Sequence, residues 1–141
     1  MDPLTLPATL DSLEPLVQYV LSAAAAAGLD RKASYRLRLA VDEIATNIIT
    51  HGYADAHLDG DVVVNADVGD EQLIITLEDS APAFDPRAHE IPDHIDKPSD
   101  ERPIGGLGVF LAIKNVDALG YEYRDHKNVN ILTMNRPRTD V

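Results

Sequence analysis

A chain of 141 residues, 45% hydrophobic and 26% charged, has the size and balance of one globular domain. Its 12 basic residues against 24 acidic ones give a formal net charge of −12, which argues against a nucleic-acid-binding surface, since phosphates need a basic patch. The lack of cysteine excludes disulfides and thiolate metal sites and suits a reducing cytoplasm.

The first residues, MDPLTLPATLDS, carry neither a basic n-region nor an apolar h-region, so no secretory signal is expected. The longest apolar run, 20–29, is half alanine and too short to span a bilayer. A cytoplasmic protein without a membrane partner is the expectation. Leu4, Thr5 and Leu6, just before Pro7, predict a short edge strand, where proline is tolerated. Asp11 or Ser12 is the N-cap of a helix reaching about Ala27, with Glu14 and Pro15 in its first turn and Gly28 ending it. Its apolar face is Leu13, Leu16, Val17, Val20 and Leu21, and the following alanines admit another element closely.

Asp30 caps a second helix that stops near His51-Gly52. Leu37, Val41, Ile44 and Ile48 form its buried stripe. Glu43 and Asn47, four apart, stand one above the other, roughly a quarter to a third of a turn from that stripe. A flank of this kind belongs neither to the core nor to open water and is placed to wall a cleft. An isolated E-x-x-x-N is otherwise ordinary surface polarity.

Beyond the turn-rich segment 54–60 the period changes to two. Val62, Val64, Ala66 and Val68 alternate with polar or outer residues, Gly69-Asp70 turns, and Leu73, Ile75 and Leu77 alternate in a partner strand. Between 80 and 102 no period survives, and prolines 82, 86, 92, 98 and 103 exclude a long helix or strand. A loop of about 25 residues inside one domain is usually functional or mobile. Helical spacing returns at Leu107, Phe110 and Leu111 and runs to Leu119, closed by Gly120. A last hairpin, 121–125 with 129–135, turns at His126-Lys127-Asn128. Helix, helix, hairpin, loop, helix, hairpin is no doubly wound pattern. It predicts an α+β two-layer sandwich, a mostly antiparallel mixed sheet with about three helices on one face.

Three places carry chemistry. Asp79 ends a strand in LEDSAPAFDP, where an aspartate either starts a turn or accepts a hydrogen bond in a pocket. Asp85-Pro86 reads as a turn, and Phe84 as a core plug rather than a ligand stack. Gly105, Gly106 and Gly108 open a helix after the long loop, where free amides and the helix dipole favour phosphate. The string fits neither the Rossmann nor the P-loop pattern.

Taken in order, E-x-x-x-N on a helix, D-x-x-x-x-F-D-P after a strand and GGLG opening a helix resemble the Bergerat-type ATP-binding fold of the GHKL superfamily, the histidine-kinase-like ATPase domain. The strings DEIATNIITHGY and GGLGVFLAIKNVD resemble the anti-sigma-factor serine/threonine kinases within it, and the likeness runs from about Leu4 to Asn135. It implies one ATPase domain over 1–141, with 86–103 as the ATP lid. It further implies ATP and Mg²⁺ as cofactors, Asn47 as the Mg²⁺ ligand, Glu43 as general base and Asp79 as acceptor for the adenine amine. Gly105, Gly106, Leu107 and Gly108 would give backbone to the phosphates. Thr133 would support the adenine end. Lys97 and Arg102 are candidate phosphate contacts, their other reading being solvated lid charges. The family usually has glycine where this chain has Ala81. That methyl costs about 1 kcal/mol or more if the position needs φ > 0, and otherwise only narrows the pocket.

The implied function is an ATP-dependent protein serine/threonine kinase acting as an anti-sigma factor. It would phosphorylate a small anti-anti-sigma protein and bind a sigma factor, and a homodimer is compatible with it. The alternative is an ATP-binding switch module that holds partners without phosphorylating them. A detached histidine-kinase catalytic domain fits less well, for want of a phosphoacceptor helical hairpin.

Overall fold

The computed structural model of the protein describes residues 1–85 and 112–137. Strand β1 (Leu4–Pro7) leads through a single 3₁₀ turn, Leu10–Ser12, into helix α1 (Leu13–Ala26). Ser12 holds the N-cap position, yet its hydroxyl donates back to Pro7 O at 2.6 Å and makes no side-chain cap. The other end closes as a Schellman turn: Gly28, at φ 75°, donates to Ala25 O and Leu29 donates to Ala24 O. Asp30 then caps helix α2 (Arg31–Asn47), its Oδ1 accepting from Ala33 N at 2.8 Å.

The second helix does not stop at His51-Gly52. It widens into a π-helical segment, Ile48–Ala54, in which Asp55 N donates five residues back to Thr50 O. Thr50 Oγ1 donates to Thr46 O at 2.7 Å, competing with the main-chain donors of that turn, and Gly52 adds no side chain to resist the widening.

Strands β2 (Asp61–Val68), β3 (Gln72–Asp79), β4 (Ala118–Arg124) and β5 (Lys127–Asn135) complete a sheet of order β1-β2-β3-β5-β4. Every pairing among the described residues is antiparallel. Val62, Val64 and Ala66 of β2, Leu73, Ile75 and Leu77 of β3, and Leu132 and Met134 of β5 are buried in one cluster with Val20, Leu37, Val41 and Ile44 of the two helices. Ala23, Ala24, Ala27, Ala40 and Ala45 belong to the same cluster and let the helices approach closely. Helices thus cover one face of the sheet, as an α+β sandwich requires.

Two boundaries differ from those expected. Residues 112–115 are helical, but Ala118, Leu119 and Gly120 open β4 instead of ending a helix. The reason is Asp117, which is captured by β5: its N–H donates to Thr133 O at 3.0 Å and its Oδ2 accepts from Asn135 N at 2.7 Å. The last turn lies not at His126-Lys127-Asn128 but at Asp125 and His126, with φ 52° and 62°, between the paired residues Arg124 and Lys127. This is a two-residue hairpin turn, whose twist matches the strands, and it puts Asn128 inside β5.

Tyr53 locks the helical segment to the sheet. It is 2% exposed, its hydroxyl donates to Asp61 O at 2.9 Å and accepts from Ser80 N at 2.7 Å, and its ring lies over Gly60. A Cβ on Gly60 would stand 2.3 Å from Tyr53 Cε1. Gly60→Ala is therefore expected to destabilise the protein by about 1–3 kcal/mol. Urea unfolding would show it as a lower midpoint at unchanged slope, and an unmoved midpoint would mean the ring shifts freely.

Candidate functional site

The inner face of the sheet changes character along one pair of strands. Leu73 lies opposite Met134 and Ile75 opposite Leu132, but then Leu77 faces Asn130 and Asp79 faces Asn128. Asp79, Asn128 and Asn130 are each 3% exposed, in phase with the core. Beneath the end of α2 these polar rungs border a cleft. Asn47 and His51 line it from the helical side, and Asp79, Phe84, Asn128 and Asn130 from the sheet.

Asp79 Oδ1 accepts from Ala81 N at 3.0 Å and from Asn128 Nδ2 at 2.9 Å. Oδ2 carries no hydrogen bond among the described residues and is the acceptor left for a ligand. Burial pushes the Asp79 carboxyl above the ordinary aspartate range, the two hydrogen bonds oppose this, and Glu78 adds to the rise. Asn128 is a clip. Its Nδ2 also reaches Ala81 O at 3.0 Å and Pro82 O at 3.2 Å, while its Oδ1 accepts from Phe84 N at 3.0 Å and from the Tyr121 hydroxyl. One carboxamide thereby shapes the chain after β3 and fixes its own orientation.

Asn47 and Asp79 thus meet across one cleft. Glu43 does not line it; it lies one helical turn before Asn47, half-buried, and burial, with Asp42 second, raises its carboxyl above the usual glutamate range. Thr133 stands elsewhere. It is paired with Ile74 and Ala118, out of phase with Asn128 and Asn130, and so on the opposite face of β5. The β5 residues in the cleft are the two asparagines. Phe84 is no core plug, being 43% exposed at the cleft wall.

Ala81 is not among the described residues with positive φ, so its methyl brings no backbone strain. It is 3% exposed and packs toward Gly52, where a Cβ would come within 3.1 Å of it. The lid expected over 86–103, Lys97, Arg102, Gly105, Gly106, Leu107 and Gly108 lie outside the described residues.

Sequence reasoning missed Asn128, Asn130, Tyr121 and His51. The signal for the asparagines was available: both are in phase with Leu132 and Met134. His51 is paired with Asp55, Nδ1 to Oδ2 2.9 Å, and reaches the cleft because it follows Asn47 by four residues. No group of three or more His, Cys, Asp or Glu that could hold a metal occurs among the described residues. No helix among them is long and apolar enough to cross a membrane.

The layered sheet and helices form an α+β fold with a polar cleft between a helix end and a strand end. Residues 6–136 match the histidine kinase-like ATPase domain, and the chain belongs to that family. Serine-protein kinase RsbW of Listeria innocua serovar 6a is 29% identical over 109 residues, 75% of this chain and 69% of the relative. RsbW of Listeria monocytogenes serotype 4b matches over the same 109 residues at 29%. The solved RsbU and RsbW domains of a Mycobacterium tuberculosis protein superpose with TM-score 0.63 at 20% identity, covering 100% of this chain and 35% of that one. The histidine kinase domain of the Erythrobacter litoralis EL346 blue-light activated histidine kinase gives 0.54 at 19%, over 86% and 60%. At such identities the two structures show the shared fold alone.

Proposed function

We propose that the protein is an ATP-dependent protein serine/threonine kinase and anti-sigma regulatory factor of the cytoplasm. It phosphorylates a serine or threonine of a small anti-anti-sigma partner and binds a sigma factor. The observation that carries this reading is the meeting of Asn47 and Asp79 across one cleft, with Asp79 Oδ2 left open. Asp79 accepts from the exocyclic amine of adenine. The carboxamide of Asn47, half-buried at the cleft wall, is an oxygen donor suited to Mg²⁺, which would offset phosphate charge on a chain of net charge −12.

Glu43 takes the proton of the incoming hydroxyl as its oxygen bonds to the γ-phosphorus and the bond to the β–γ bridging oxygen breaks, releasing ADP. A carboxyl raised toward the working pH is a better base than an ordinary glutamate. Gly105, Gly106, Leu107 and Gly108 give backbone amides to the phosphates, with Lys97 and Arg102 as further contacts and 86–103 as lid.

The second reading, a nucleotide switch without transfer, is favoured by one observation: Glu43 does not line the cleft. Incubating the protein and its co-encoded small partner with γ-labelled Mg-ATP separates them. Label on a partner serine or threonine is expected, and ATP binding without label supports the switch.

A further inference from the structure

Four of the chain's 12 basic residues fall within eight consecutive positions of α2: Arg31, Lys32, Arg36 and Arg38. None of them makes an ion pair or a side-chain hydrogen bond among the described residues, although the chain holds 24 acidic residues. Arg31, Lys32 and Arg38 are exposed, Arg36 is half-buried, and Tyr35 stands 56% exposed among them. The helix gains nothing from this placement. Its first turn holds Arg31 and Lys32 and no acidic residue, so two cations sit at the positive end of the helix dipole. Cations set against the dipole and left without a carboxylate weaken the helix that carries them, which argues that they serve a partner.

At about 100° per residue, Lys32, Arg36, Glu43 and Asn47 fall within about 60° of one another. One flank of α2 therefore runs from two cations past Glu43 to the cleft that Asn47 lines. Arg36 precedes Glu43 by about 10 Å of helical rise and Lys32 precedes it by about 16 Å. A chain lying extended along that flank, its hydroxyl at Glu43, advances about 3.3 Å per residue, so side chains three to five places from the acceptor meet the cations. We propose that Lys32 and Arg36 select the phosphoacceptor: they dock acidic side chains of the substrate protein that stand about 10–16 Å from its serine or threonine hydroxyl. The inference rests on the phosphoryl-transfer reading of Glu43. On a chain of net charge −12 most of the surface repels an acidic partner, so these unpaired cations set where it lands and in which orientation.

The probe is a synthetic serine peptide with a run of glutamates beginning three residues to either side of its serine, compared with the same peptide carrying glutamine instead. Fluorescence anisotropy on the whole chain at low ionic strength reads binding, and label from γ-labelled Mg-ATP reads transfer. The wild type is expected to bind the glutamate peptide about five- to tenfold more tightly than the glutamine one, a preference that about 1 M salt removes. Lys32→Gln/Arg36→Gln is expected to bind the two peptides alike. Lys32→Glu, which sets a carboxylate at the positive end of the helix, is expected to lose the preference and yet melt about 1–3 °C higher than wild type, which a lysine kept for structure would not do. No preference in the wild type, or one that survives in the double variant, overturns the inference. Tighter binding of a single-stranded DNA oligonucleotide of equal charge overturns it too. Acid-dependent docking without label on the serine leaves the docking surface standing and removes the kinase reading instead.

Discussion

Glu43→Gln is expected to bind Mg-ATP and partner nearly as the wild type does and to transfer phosphate about 10²–10⁴-fold more slowly. Glutamine keeps the shape and hydrogen bonding of a half-buried side chain on α2 but cannot take a proton. Because Glu43 lies outside the lining of the cleft, nucleotide affinity should not register the change. Because it precedes Asn47 by one helical turn, about 5.4 Å of rise, a phosphate at Asn47 brings the hydroxyl acceptor within its reach. Single-turnover transfer from labelled ATP, alongside calorimetry on the same preparations, measures both halves. Transfer at the wild-type rate would remove Glu43 as the base.

Asp79→Asn is expected to weaken Mg-ATP binding by on the order of 1–3 kcal/mol, roughly 5- to 150-fold, while the fold survives. Asparagine retains an Oδ1 for Ala81 N and Asn128 Nδ2, but puts a donor where Oδ2 would meet the base. Stability should move the other way with pH. Burial raises the Asp79 pKa, so the folded protein holds this proton to higher pH than the unfolded chain. Well below the ordinary aspartate range both carry it. As pH rises the unfolded chain ionises first, and the stability owed to the protonated group is lost up to the raised pKa. Asp79→Asn should therefore gain stability relative to wild type between acid and neutral pH. Urea melts of both proteins at the two extremes read this, and parallel pH dependence would mean that Asp79 pays no desolvation cost.

The helices were legible because their ends are punctuated: Asp30 caps one, and Gly28 takes the left-handed turn that closes the other. Alternation gave the β2–β3 hairpin, and with it the inward phase of Asp79 behind Leu73, Ile75 and Leu77. The final turn was misplaced because Asp125 and His126 both adopt positive φ without a glycine to advertise it. That error hid Asn128 in a loop, whereas Asn130 lay within the expected strand, in phase with Leu132 and Met134. Thr133 was assigned by likeness, and period-two counting along β5 places it on the far face. The π-helical segment keeps its apolar spacing through Ile48 and Ile49, so nothing in the pattern announces the wider turn. The lock of Tyr53 on Asp61 and Ser80 depends on contacts between elements distant in sequence, which no local pattern reports.

The strand order has a consequence for how the protein assembles. β2 pairs with β3 and β4 with β5 as local hairpins, which form in about 1–10 μs, and among the described strand pairings the β3–β5 ladder joins the two hairpins. The bond from Asn128 to Asp79 spans 49 residues, a loop closure costing roughly 3 kcal/mol in chain entropy. The cleft has one wall from each side of that ladder, so it does not exist until the halves dock. A ligand in it recognises the docked chain and not its precursors. At a hundred times its Kd it would add about 2.7 kcal/mol to the native state alone, making occupancy a brake on unfolding.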